Sequence, residues 1–162
     1  MVNNSQGFTY LGALIIVIIL SISLTAASKY WSTVVQRESE KELIFRGDKI
    51  RRAIESYYKS APTGRIFAYP LSLQSLIKDE RYLATRRHIR RIYLDPMTED
   101  GKWVLVRDSK GGIKGVFSNS KKKPIKVGNF SSEYFAFEKA KTYADWKFVF
   151  LSGTSRKVST KK

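Results

Sequence analysis

The chain has 162 residues, with 30 Lys and Arg against 14 Asp and Glu, a net charge of +16 and no cysteine. That length provides one modest domain beside any anchor. The lack of cysteine excludes a disulfide framework and a thiolate metal site, and leaves the compartment open. A chain this basic invites nucleic acid if it is free in solution, and anionic headgroups or an acidic protein surface if it is anchored.

Met1 to Gly7 is polar and carries no Lys or Arg. Phe8 to Ser28 then runs for about 21 uncharged residues, roughly 31 Å as a helix, which matches the hydrocarbon core of a bilayer. A secretory signal peptide has a basic start and an apolar core of about 7–15 residues. This run lacks the first and exceeds the second, although Thr25-Ala26-Ala27 has the small residues of a cleavage site. A plain single-span anchor also fits. Lys29, Arg37 and Lys41 follow the span, so the positive-inside rule alone leaves the C-terminal part in the cytoplasm; Glu38, Glu40 and Glu42 count little there.

Beyond Ser28 the pattern turns amphipathic, with no proline until Pro62. Val34, Val35, Leu43, Ile44, Ile50, Ala53, Ile54, Tyr57 and Tyr58 fall mostly on one side, at spacings of three, four and seven. Val34, Leu43, Ile50 and Ile54 are the candidates for holding the rest of the domain. Glu42 and Arg46 form an i,i+4 pair in the favoured order. Gly47 costs about 1 kcal/mol relative to Ala, or permits close approach of another element. The helix, with an amphipathic part over 29–60, stops at Ala61-Pro62-Thr63-Gly64. From Phe8 to Lys59 it would measure roughly 78 Å. No soluble domain of this size buries such a rod, so about half belongs in lipid or in a bundle of copies.

Tyr69-Pro70 opens a short helix with Leu71, Leu73, Leu76 and Ile77, running to about Asp79, with Ser72 as its cap. The densest charge follows: Arg81, Arg86, Arg87, Arg90 and Arg91, with His88 among them. If helical, residues 86, 87, 90 and 91 share one face. This basic patch has three readings: a solvated face pairing with acids such as Glu80 and Asp95, a contact with a neighbouring subunit or lipid headgroups, or nucleic-acid binding. The arginine fork can hold a carboxylate or phosphate bidentately. Tyr82 and Tyr93 serve equally as core or as stacking platforms.

Asp95-Pro96 starts a turn that Met97–Gly101 completes. Trp103–Arg107 reads as a strand, Asp108–Gly112 as a hairpin turn and Ile113–Phe117 as its partner. Ser118–Gly128 is a basic loop, and Glu133–Lys141 a short helix or irregular segment docked by Phe135, Phe137 and Tyr143. Trp146–Leu151 is the last strand, with Trp146, Phe148 and Phe150 on one face. The head thus covers 61–151, and 152–162 is a basic tail expected to be disordered. One antiparallel sheet has a face to cover, and the amphipathic part of the long helix supplies that cover, so the fold class is α+β.

No chemistry is written clearly in the residues. His88 is the single histidine, so no histidine-rich metal site forms. Its arginine neighbours would depress its pKa. There is no nucleophile elbow, Walker A loop or dinucleotide glycine pattern. Glu99 and Asp100 could ligate a metal, but they occupy a turn, where acids are expected anyway. No catalytic residue, metal or cofactor is expected, and the chain is not expected to be an enzyme.

Gly7-Phe8-Thr9-Tyr10-Leu11, followed at once by an apolar span, resembles the start of type IV pilins and type II secretion pseudopilins. Tyr69-Pro70 before a Leu-rich segment, and Leu94-Asp95-Pro96 before a strand, resemble later segments of pseudopilins. The resemblance implies that a prepilin peptidase cuts between Gly7 and Phe8 and methylates Phe8. Residues 1–7 are then a leader, and 8–28 a transmembrane and assembly helix packing through Phe8, Leu11, Leu14, Ile15, Ile18 and Ile22. It also implies a pilin-like fold, with the long N-terminal helix packed on a small antiparallel sheet. The chain would lie in a bacterial inner membrane as a single-pass protein, its C-terminal domain in the periplasm, against the positive-inside rule. Its partners would be other pilin or pseudopilin subunits, the prepilin peptidase and an inner-membrane assembly platform. The implied function is that of a structural subunit of a type II secretion pseudopilus. The alternative is a type IV pilus minor pilin, or a DNA-binding pilin-like protein using its basic surface.

Three departures accompany the resemblance. Gly12 stands at the fifth mature position, where the family usually has Glu. No Lys or Arg precedes Gly7. Phe117–Phe130, the stretch corresponding to the calcium loop of major pseudopilins, holds four lysines and no acid. Hard cations want anionic oxygens, so no calcium is expected there, and the loop is held some other way or stays mobile.

Overall fold

In this computed structural model the described residues are 5–62, 64 and 66–152, without the side chains of 5–9 and 24–27. The fold is α+β. It comprises one long N-terminal helix, α1 (Ser5–Lys59), and a three-stranded antiparallel sheet of β1 (Val104–Arg107), β2 (Ile113–Phe117) and β3 (Phe148–Val149), in the order β1-β2-β3. The chain divides into two compact units, Met1–Glu38 and Ser39–Lys162.

The first unit is helix alone among the described residues, and it includes a stretch long and apolar enough to cross a membrane. Its large apolar side chains from Tyr10 to Ile22 are exposed. The hydroxyls of Ser21 and Ser23 donate to the carbonyls of Val17 and Ile19, each at 2.8 Å. Such back-bonding satisfies a hydroxyl inside the helix, which an apolar surrounding requires. Val34, expected to hold the head, does not belong to its core: it is 41% exposed and lies in this first unit.

In the second unit, Leu43, Ile50, Ala53, Ile54 and Tyr57 form the buried stripe of α1, packed with Ile113 and Val116 of β2 and Phe148 of β3. Gly47 lies within that stripe. A Cβ there would stand 2.4 Å from the Phe148 ring, so its absence lets the ring lie against the helix backbone. Trp146 stacks on Phe137 at 5.2 Å and 5°, and Phe137 stacks on Tyr134 at 4.9 Å. Phe148 meets Phe137 edge-on at 5.3 Å. These are the offset and edge arrangements that ring quadrupoles favour. Phe135 does not join this core; it is 63% exposed.

The β1–β2 hairpin closes as its sequence requires. Asp108 N–H donates to Gly112 O at 2.8 Å, and Gly111 takes a φ of 82°, a conformation open to glycine. The expected helix over 71–79 is reduced to one 3-10 turn, Gln74–Leu76. The segment 86–91, whose arginines would share one face in a helix, is irregular instead. One cause explains both. The Leu76 carbonyl accepts from the N–H groups of His88 (2.8 Å) and Ile89 (3.1 Å), and Asp79 N–H donates to Arg86 O (3.0 Å). Backbone groups paired between these segments cannot also make the i→i−4 bonds of a helix.

Candidate functional site

The most concentrated polar chemistry is in the second unit, around Asp79, whose carboxylate is fully buried. Arg81 holds it bidentately, Nε to Oδ1 at 2.9 Å and Nη2 to Oδ2 at 2.7 Å, and donates its own backbone N–H to Oδ1 at 3.0 Å. The same guanidinium lies 3.6 Å over the Tyr57 ring and donates to the Tyr57 carbonyl. Burial pushes the Asp79 carboxyl up, but the hydrogen bonds from Arg81 and His88 outweigh it and bring it down to about 2.

His88 completes a line. Its Nε2 is 3.1 Å from Asp79 Oδ2 and its Nδ1 is 2.9 Å from the Ser56 hydroxyl on α1. The neutral tautomer with Nε2–H satisfies both contacts: Nε2 donates to the carboxylate and Nδ1 accepts from Ser56. Burial lowers the His88 pKa despite the favourable carboxylate, and Arg86 and Arg81 add to the lowering. The expected direction therefore holds, with desolvation as its main cause.

Ser56, His88 and Asp79 have the residue types of a hydrolytic triad, but the surroundings favour a structural pin. Ser56 sits inside α1, where backbone N–H groups are used by the helix and offer no oxyanion hole. The carboxylate that would stabilise an imidazolium is already claimed by Arg81. The line ties the returning segment to α1.

Two further carboxylate groups tie loops to the helix. Glu40, only 4% exposed, accepts the backbone N–H of Ile125 at 3.1 Å and of Lys126 at 3.0 Å. The basic loop is thus held by a buried helix glutamate. Lys122 O and Ser120 O also accept the N–H groups of Tyr143 and Ala144. Arg51, nearly buried, bonds Asp48 at 3.1 Å and Glu133 at 2.8 Å, and its Nε reaches the Tyr134 hydroxyl at 2.9 Å. That hydroxyl donates to Asp48 at 2.6 Å, and burial together with this bond pushes its pKa up. Asp95, Asp108 and Asp145 accept turn backbone N–H groups.

Of the three readings of the basic patch, the pairing with Glu80 and Asp95 is not seen among the described residues. Arg86 lies 4.8 Å over the Tyr82 ring and Arg91 lies 5.2 Å over the Tyr93 ring. Arg87 and Arg90 are exposed and have no ion-pair or hydrogen-bond partner among the described residues. Of the assembly candidates, Leu11, Leu14, Ile15, Ile18 and Ile22 are all exposed. Gly7 and Phe8, the processing pair and the first packing residue, lie outside the residues whose side chains are described. Of the head-packing candidates, Leu43, Ile50 and Ile54 are buried. Among the described residues no group of three or more His, Cys, Asp or Glu is placed to hold a metal ion.

Sequence reasoning missed Glu40, Arg51 and Asp79. Each looks locally like a surface charge, and each is recognised only through partners distant in the chain. Comparisons with protein-family models, with curated proteins and with solved structures found no match. Fold and surface together define an α+β chain with, among the described residues, one candidate membrane span near the N-terminus.

Proposed function

We propose that this chain is a pilin-like membrane subunit whose work is mechanical. The observation that carries the reading is the division of labour within α1. One stretch exposes an unbroken apolar surface, and another stretch covers a small antiparallel sheet. A helix apolar on every side needs lipid or other helices around it. The family resemblance at Gly7–Leu11 makes those helices the spans of other pilin or pseudopilin subunits. After cleavage before Phe8, the span anchors the subunit in the inner membrane with the head in the periplasm. During assembly the same surface passes from lipid to a filament core, driven by a partner ATPase. A type II secretion pseudopilus is the first assignment.

The second reading, a DNA-binding or minor pilin, is favoured by the unpaired Arg87 and Arg90. Phosphate binding would fall steeply with salt through counterion release, whereas lipid and helix packing would not.

The deciding experiment is the mass of the N-terminal peptide from the protein in its own membranes. A peptide starting at N-methylated Phe8 supports prepilin processing. An intact Met1 leaves a simple anchor, and cleavage after Ala27 frees a soluble domain; either result removes the filament reading.

A further inference from the structure

We infer that the segment Leu83–Leu94 is a docking strip for an acidic protein subunit distinct from this chain. The inference rests on the subunit reading above and names the chemistry of the neighbour.

The first ground is an asymmetry in how the head uses its charges. Only Lys29, Arg37 and Glu38 lie before Ser39, so nearly all of the +16 belongs to the second unit. Most of its carboxylates are engaged internally, on Arg51, on Arg81 and His88, on the loop amides at 125 and 126, or on turn backbone. Its cations are mostly left outward. A second copy would therefore present cations to cations and few free carboxylates to receive them. Like-charge juxtaposition across an interface is unfavourable, and complementarity calls for an acidic partner.

The second ground is the strip itself. Leu83 is fully exposed and Leu94 is 64% exposed. Between them Arg86, Arg87, Arg90 and Arg91 are all exposed. Exposed guanidiniums, two of them unpaired, are among the makings of a protein interface, where Arg is enriched and Lys depleted, and the two leucines give them an apolar flank. The arginine fork fits a carboxylate bidentately.

The third ground is preorganisation. The strip is irregular in backbone, yet fixed from within. Ile89 is buried, His88 is pinned between Ser56 and Asp79, and both donate backbone N–H groups to Leu76. Arg86 and Arg91 rest on tyrosine rings, which narrows their rotamer freedom before binding. A merely solvated charge run has no need of such an anchor.

The test uses the full chain in its native membranes, with a photo-crosslinking phenylalanine analogue placed at Leu83 and, separately, at Leu14 in the span. The expected result is an adduct from position 83 with a different protein, linked through a region where Asp and Glu outnumber Lys and Arg. The double variant Arg87→Glu/Arg90→Glu should lower that adduct at least about tenfold and leave the Leu14 adducts unchanged. Replacing the partner's facing acids by Arg should restore it. Should the variant head lose its protease resistance, Arg87→Gln/Arg90→Gln is used, with the same expectation at reduced size. A self-adduct, a nuclease-sensitive adduct or an adduct only with lipid at position 83 overturns the inference. So does the absence of any adduct at 83 while Leu14 crosslinks, a result that leaves the assembly reading standing. Absence at both positions removes the assembly reading as well.

Discussion

The stretches of α1 on either side of residue 39 both carry Leu and Ile, yet these side chains meet opposite fates within the chain. From Tyr10 to Ile22 the apolar side chains are exposed, whereas Leu43, Ile50 and Ile54 are buried to within 1%. Hydrophobicity does not separate them; the more apolar stretch is the more exposed. The separation comes from period and cover. The second stretch alternates apolar and charged residues at helical spacing, so it has one face to bury, and the sheet and aromatic residues of the same chain bury it. The first, from Tyr10 to Ile22, has no charged residue and no alternation, and its large apolar side chains stay exposed. The lesson is that period and cover, rather than apolar content, decide which stretch of α1 belongs to the core of the head.

The largest expected effect follows from that contrast. Trp146 is fully buried, stacked on Phe137 and met edge-on by Tyr143 at 5.2 Å. Trp146→Ala should cost the head about 3–5 kcal/mol through lost transfer energy and a cavity. Leu14→Ala, in the exposed span, should change head stability by less than about 0.5 kcal/mol. Urea titration of the full chain in detergent, followed by the appearance of head proteolysis, compares the two. A large effect of Leu14→Ala would show that the units are energetically coupled.

Next in size is Asp79→Asn, which leaves Arg81 without its anion at a site where the carboxylate is fully buried. The loss should be about 3 kcal/mol. The same node sets the response to acid. The Asp79 pKa is lowered from 3.8 to about 2, so its contribution is fully present above pH 3.8 and is lost as the pH falls toward 2. That difference corresponds to about 2 kcal/mol. The lowered His88 pKa has the same sign: the fold favours neutral imidazole, so stability begins to fall below the ordinary value of 6.5 as the unfolded chain takes up the proton first. His88→Gln should remove the first stage of acid loss and Asp79→Asn the last. Head unfolding measured from pH 7 to pH 2 checks both, and an unchanged upper stage in His88→Gln contradicts the assignment.

How much of this was legible in the sequence varies by residue. The span, the hairpin and the buried triplet Leu43, Ile50 and Ile54 follow from local period and turn chemistry. Gly47 was legible as an alternative between helix weakness and close approach, and the Phe148 ring decides for close approach. Val34 shares the period of the triplet, but periodicity shows only which side a residue faces, not whether anything lies opposite. The short helix expected at 71–79 is cut to one turn, and 86–91 is irregular, because Leu76 O is claimed by His88 and Ile89, a pairing that no local pattern encodes. Of the candidate site, the arginines were visible as charge; their freedom from local acids was not, since it depends on where the acids are used.

Gly47→Ala tests the core side of the comparison at a single atom. Helix propensity alone predicts a gain of about 1 kcal/mol. The added Cβ, however, would lie 2.4 Å from the fully buried Phe148 ring, so one of the two must shift. Overpacking of this kind costs about 1–3 kcal/mol, so a net loss of up to about 2 kcal/mol is expected. Gly12, with nothing within 4 Å of an added Cβ, provides the control: Gly12→Ala should leave the head unchanged. Equal effects at the two glycines would dissolve the distinction between a covered and an uncovered stretch.

The smallest effect sharpens the comparison at the start of the second unit. Glu40 is the helix residue that fixes a loop 85 positions later, through the N–H groups of Ile125 and Lys126. Glu40→Gln keeps the shape and one acceptor oxygen but loses the charge that strengthens both bonds. The expected loss is about 1 kcal/mol. It should be local: amide exchange at Ile125 and Lys126 should quicken several-fold, while exchange in β2 follows global stability alone. Uniform quickening across the head would mean that Glu40 supports the core rather than the loop. No change at all would mean that the loop is held by its bonds to Tyr143 and Ala144, and that burial of the glutamate reflects local crowding rather than a pin.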